Sequence, residues 1–499
     1  MAESSPQRPA VTRNRTRSAS ITQALKAIPL NEQRGDAALS PVSSSPSDTQ
    51  GPRAPAVPED STLRSRKPAE VASAARDAKK GRRTVKKMSA EDAARYRSDG
   101  FWRDLRTGKW MLIPSSSLPL LVVPWLIYLN HRYILTNPAL PLYLPTFLRT
   151  LLAQFLGRTD SSVPFSWSIL PVGTLNPMEP FLFLSGAVQK SAASAMDKAG
   201  EGAILAGETL YKRDFKDLLF ISYYIIFFSF VRQFITMNLL APLSRSLGIA
   251  RSKTERFTEQ GYAAIYFSFF GSLGIYVMRG LPIWWYKTSA MWDTFPVLEM
   301  PALLKAYYLL QFSYWLQQTI ILAARVEKPR KDFKELVAHH VVTLWLVGWS
   351  YLLTLTYIGV AIFVTMDVSD IFLALAKCVN YVDESLSAPF FAFFVCVWTY
   401  MRHYLNLKIL WSVWHEFELI PEAARSSFQP WRETELLNWW MKYQIFAPIF
   451  LLQLINLFWY FLILRILYRA VFLSQLADDR SDEEDEGEEV LEETKAKAE

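Results

Sequence analysis

Between His339 and Lys377 runs HHVVTLWLVGWSYLLTLTYIGVAIFVTMDVSDIFLALAK, apolar enough to cross a bilayer twice yet carrying His339, His340, Asp367 and Asp370. An ionisable group at the bilayer centre costs roughly 2.5–3.5 kcal/mol on insertion scales, so such residues are rare unless they face a cavity and serve a function. These four are the candidate catalytic residues. A neutral imidazole takes a proton near neutral pH, and a carboxylate on its other nitrogen fixes the tautomer and supports the cation that forms. The same pair can make imidazole a nucleophile that accepts an acyl group. Adjacent histidines point about 100° apart on a helix, which leaves one to face a substrate and one to orient it or take a second proton.

Other uses of these residues are open to the sequence. Membrane histidines also serve as interhelical hydrogen-bonders, and His with Asp can ligate zinc or iron. The chain has five histidines (His131, His339, His340, His403 and His415), too few for a multi-histidine di-iron centre, and no metal is assigned.

The elements that must hold these groups are two spans of about 20 residues, 337–356 and 358–377, folded back as an antiparallel hairpin with its turn near Tyr357. At ~1.5 Å per residue His340 lies ~25 Å down one arm and Asp370 ~20 Å down the other, at nearly the same depth. Asp367 and Asp370 are three apart and share a face. Thr343 follows His339 by four and Ser350 lies seven further on, forming one polar stripe with substrate-binding potential. Lys377 at the far end is a snorkelling lysine or, with the cluster Arg325, Lys328, Arg330, Lys331 and Lys334, a holder of donor phosphates.

The pattern extends to an all-α, polytopic transmembrane bundle of eight spans, near 113–134, 217–240, 260–279, 302–323, 337–356, 358–377, 387–408 and 444–467. More than half of the 499 residues are apolar, with 17 Trp, 22 Tyr and 32 Phe, while polar tails dilute the average. The chain divides into a disordered basic tail (1–100), a first span with a following interfacial segment (101–216), the catalytic membrane domain (217–470) and a disordered acidic tail (471–499). An even span count places both termini on one side. The basic loops after the second and fourth spans put that side in the cytosol, with the histidines entering from it.

The tails carry addresses rather than folds. RTRSAS (Arg15–Ser20) and Ser481 before the acidic run to Glu493 suit kinases, and the basic run Lys79–Lys87 suits an anionic membrane surface. No apolar h-region marks a signal peptide in the first 100 residues. Lys497 and Lys495 are the third and fifth residues from the end, in the manner of a dilysine retrieval signal. Residues 135–213 contain short apolar pieces broken by Pro and Gly, expected as interfacial or re-entrant elements, and 409–443 has the Trp/Tyr content of a bilayer interface. Cys378 and Cys396 imply no disulfide framework. The +7 net charge averages two opposite tails, and basic residues are not interleaved with aromatics as nucleic-acid binding requires.

HHVVT, the pair Ser350-Tyr351, Gly359, and MDVSD followed by Leu373 and Lys377 resemble the signature of the longevity-assurance ceramide synthases among TLC-domain membrane proteins. The resemblance extends over about 210–412, including KRDFKDLLFISYYIIFFSFVRQF, KAYYLLQFSYWLQQ and WTYMRHYLNLKIL. The homeobox-like insert of many animal members is absent, as in fungal-type enzymes. The resemblance implies acyl transfer from fatty acyl-CoA, a co-substrate, to the amine of a sphingoid base in the endoplasmic-reticulum membrane, with no cofactor. It also implies His339, His340, Asp367 and Asp370 as essential positions, a dimer, and a small single-span accessory subunit. Thr354 and Tyr357 depart from the family pattern near the turn. The competing readings are a non-enzymatic TLC-type lipid-sensing or translocation-associated protein and a transporter with a proton relay. No inverted repeat of broken spans supports the transporter.

Overall fold

In the computed structural model the described residues are 97–136, 145–155, 175–188, 209–324, 332–425 and 437–472. The sequence readings for RTRSAS, Lys79–Lys87, the acidic run, Lys495 and Lys497, and the loop residues Arg325, Lys328, Arg330 and Lys331 lie outside them.

The long helices are α1 (Pro114–Asn130), α2 (Asp217–Ile235), α3 (Arg251–Arg279), α4 (Ala302–Ala323), α5 (Phe333–Leu352), α6 (Thr356–Val382), α7 (Glu384–Trp398), α8 (Asn406–His415) and α9 (Met441–Phe472). A π-helical stretch, Thr399–Leu405, joins α7 to α8 without a break, and similar turns extend α1 to Leu135 and α2 to Leu240. Each of the eight stretches read as spans falls on helix. Five segments among the described residues are long and apolar enough to cross a membrane: Pro114–Leu135, Asp217–Ser246, Lys253–Arg279, Thr356–Val382 and Met441–Arg469. The other three, α4, α5 and the α7–α8 run, carry Lys305 and Gln311, the histidine pair, and Arg402 with His403, and these polar groups lower their hydropathy. With the outward faces bearing Phe269, Tyr276 and Phe461, the described chain is a multi-pass membrane protein.

Among the described residues, strand structure is confined to Ala187–Val188 (β1), Leu210–Tyr211 (β2) and Met300–Pro301 (β3), which pair antiparallel in that order at the end of the bundle where α4 begins. The segment between the first two spans holds a helix at Thr146–Phe155 and a short one at Glu179–Leu182, the latter packed on α1 and α2.

The turn of the α5–α6 hairpin lies at Leu353–Leu355, slightly before the position expected near Tyr357. Leu353 N–H and Leu355 N–H close it by donating to the carbonyls of Trp349 (2.9 Å) and Ser350 (2.8 Å). The arms are not mainly packed on each other. α6 lies most extensively on α3, while α5 is held between α4 and α9. The space left between the arms becomes a slot. The core around it is aromatic: Tyr307, Tyr308, Trp292 and Trp398 are buried, and Tyr266 stacks on Tyr314 at 3.4 Å.

Candidate active site

From the observed turn, His340 and Asp370 are each fifteen residues from Leu355, a matched depth of ~22 Å along the two helices. Both line one polar cavity of about 240 Å³, together with His339, Lys377, Asp332, Gln318, Arg402, Trp315 and Trp459. A second, apolar slot of about 50 Å³ runs from His339 past Thr343, Val347 and Ser350 to Leu355, Ile358 and Gly359, closed on its far side by Pro448, Ile449 and Leu452 of α9. The polar stripe of α5 therefore faces this slot. His339 and Trp315 border both spaces.

Aromatic rings pack around the histidines. His339 lies 5.3 Å from Trp459, 5.6 Å from Trp315 and 5.7 Å from His340, all edge to face. Its Nδ1 is buried with no hydrogen-bond partner among the described residues. His340 Nδ1 lies 2.8 Å from the Leu336 carbonyl. A carbonyl can only accept, so Nδ1 donates and Nε2 of the neutral ring keeps its lone pair.

The two aspartates part company. Asp370 lines the polar cavity, and its Oδ1 accepts from Arg402 Nη2 at 2.6 Å. Asp367 is fully buried outside the linings of both spaces, where Gln311 Nε2 donates to its Oδ2. Gln311 also donates to Tyr307 Oη (3.2 Å) and accepts from Tyr266 Oη (2.8 Å). Three residues of α-helix turn a side chain by about 300°, 60° short of a full circle. On a helix buried on several flanks, that angle is enough to send two carboxyls into different interhelical spaces.

Ser350, which lines the slot, hydrogen-bonds to Tyr308 Oη, and Lys377 lines the polar cavity from α6. Arg402, Gln311, Trp315 and Trp459 are site residues the sequence reading did not single out. The cost of a cation in hydrocarbon could have flagged Arg402.

A helical membrane bundle whose polar cavity meets an apolar slot at an imidazole defines a class of protein that handles long-chain amphiphiles. The TLC domain matches residues 256–465, spanning α3 to α9. The chain is 45% identical over 272 residues to sphingosine N-acyltransferase lac1 of Schizosaccharomyces pombe, covering 54% of this chain and 70% of that protein. It is 40% identical over 298 residues to ceramide synthase LAG1 of Saccharomyces cerevisiae, covering 59% and 71%. Sphingosine N-acyltransferase-like protein FUM17 of Gibberella moniliformis is 38% identical over 274 residues, covering 54% and 70%. The chain belongs to the ceramide synthase family of TLC-domain proteins.

Proposed function

We propose that the protein transfers the acyl group of a fatty acyl-CoA to the primary amine of a sphingoid long-chain base, forming ceramide or dihydroceramide and releasing CoA. One observation carries this reading: a single imidazole, His339, borders both an apolar slot and a polar cavity. A thioester with an alkyl tail and a charged head needs that division at its reacting carbonyl.

A protonated amine has no lone pair with which to attack, so a base must strip it in a water-poor site. His340 Nε2 takes that proton. The amine nitrogen then bonds to the thioester carbon, the C–S bond breaks with its electron pair on sulfur, the imidazolium returns its proton to the departing thiolate, and the freed imidazole takes the second proton from the nitrogen to leave the neutral amide. The unpartnered nitrogen of His339 favours a second route, in which His339 first accepts the acyl chain as an acyl-imidazole and the amine then displaces it. Intact-protein mass measured after acyl-CoA alone separates the two, because only the second leaves an acyl adduct on the His339 peptide.

Thr343 and Ser350 serve the acyl chain along the slot. Lys377 serves the phosphates of CoA. Asp370 and Asp367 support the reaction from the cavity wall and from the buried network behind it. The setting is the endoplasmic-reticulum membrane, with eight spans, both termini cytosolic, and a dimer with a small single-span accessory subunit. Incubating the purified protein and any accessory subunit with sphinganine and a ladder of acyl-CoA lengths should yield N-acyl products. No product at any length would overturn the reading in favour of a lipid-sensing role.

A further inference from the structure

Arg402 lies in the middle of the α7–α8 run, buried, in the π-helical stretch Thr399–Leu405. Such π turns are uncommon and gather at functional sites, where the extra residue redirects side chains. Here it sets Trp398 and Arg402 together, with the guanidinium 4.0 Å over the indole ring. Arg402 Nε donates to Ser369 Oγ (2.6 Å), Nη1 to Asn456 Oδ1 (2.9 Å), and Nη2 to the Met366 carbonyl (3.4 Å) and Asp370 Oδ1 (2.6 Å). The fork is thus committed to α6 and α9. It has little left to offer a phosphate.

Asp370 differs: Oδ1 is taken, whereas Oδ2 accepts no hydrogen bond among the described residues, and the carboxyl lines the polar cavity. Both members of the ion pair line that space, and it is the carboxyl that has an oxygen left to receive a donor there. The other charged or titratable groups around it are His339 and His340 on α5, Lys377 on α6, Asp332 ahead of α5, and Asp367 one turn back.

We propose that Asp370 Oδ2 seats the protonated amine of the sphingoid base, and that Arg402 is the positioning residue that holds Asp370 for it. This rests on the acyltransferase reading, which supplies the amine. The pair sits beside the histidines on the cavity wall, so an ammonium bound there lies next to the group that takes its proton. The orientation comes from three helices at once, since Ser369 and Asn456 fix the guanidinium that fixes the carboxylate.

The test is steady-state kinetics on purified, folded protein, varying sphinganine at saturating acyl-CoA and then the reverse. Arg402→Met leaves Asp370 without its partner, and breaking a buried charge pair costs about 2–5 kcal/mol, so KM for sphinganine should rise by about 30-fold or more. KM for acyl-CoA should stay within about twofold of wild type, each twofold being only ~0.4 kcal/mol. Arg402→Lys keeps the charge but loses the fork, and should recover part of the affinity for the base. Asn456→Leu removes one support of the guanidinium and should raise KM for the base alone; it serves if Arg402→Met fails to fold. Equal changes in both KM values, or loss of folded protein with unchanged KM values in what remains, would overturn the proposal. Wild-type protein that makes no amide would instead overturn the acyltransferase reading.

Discussion

Gln311 is the group on which Asp367 depends. Among the described residues it is the one donor to that carboxyl, whose other oxygen has no hydrogen-bond partner there, and the side chain is removed from water. Replacing Gln311 with Leu strands the carboxyl. An unsatisfied buried polar group costs about 1–3 kcal/mol, more if charged, so Gln311→Leu should lower thermal stability in detergent by at least that much. Asp367→Asn keeps a partner for the glutamine and should be milder. The two are compared by melting curves on equal amounts of protein. This aspartate was legible as special because a carboxyl in an apolar span is costly, and that argument does not tell a cavity from a buried network. Arg402 escaped notice for a related reason. On a span read as ending near 408, an arginine at 402 passes for one that snorkels to the interface, and only the helix running on to His415 places it in the middle of a continuous helical run, where it is buried.

At the scale of elements, hydropathy located the helices well because apolar length is what the hydrocarbon demands. It missed their ends for the same reason. α3 begins at Arg251, nine residues before the expected span, because RSKTERFTE is helical without being apolar. The turn of the site hairpin was placed late because TLTYIGV contains no strong breaker. The chain instead turns at Thr354, whose φ of 59° is left-handed. A β-branched residue in that region is strained at a cost of order 1–3 kcal/mol, and asparagine enters it more readily. Thr354→Asn should therefore raise the melting temperature, by an amount corresponding to about 1 kcal/mol, without altering KM for either substrate. One helix further in, a Cβ on Gly359 would run into the Tyr308 ring and hydroxyl. Gly359→Ala should cost about 1–3 kcal/mol by overpacking and, since both residues line the slot, should reduce turnover of the longest acyl-CoAs most. A chain-length profile measures that directly.

For the whole molecule, the decisive contact lies at the end of the bundle that carries the small sheet, far along α5 from the histidines. Lys305, at the start of α4 and wholly buried, pairs with Asp217 at 2.8 Å and donates to the carbonyls of Ser185 (2.8 Å) and Lys212 (2.7 Å). Asp217 Oδ2 in turn accepts from Tyr351 Oη at 2.7 Å, in the last turn of α5. One ion pair thus ties α2, α4, α5, the residues just before β1 and those just after β2 into a single frame, and α5 is the helix that carries His339 and His340. Removing one partner of a buried pair costs about 3–5 kcal/mol, because the remaining charge has no water to turn to, whereas replacing both with apolar groups can be nearly neutral. Lys305→Met should therefore destabilise the protein by about that amount, and Lys305→Met with Asp217→Leu should restore much of the loss. Melting curves of the two single variants and the double variant close the cycle. Activity per folded molecule should follow a different order. The double variant regains stability but not the anchor for Tyr351, so its turnover should stay below wild type if the frame sets the pitch of α5, and should match wild type if the pair serves stability alone.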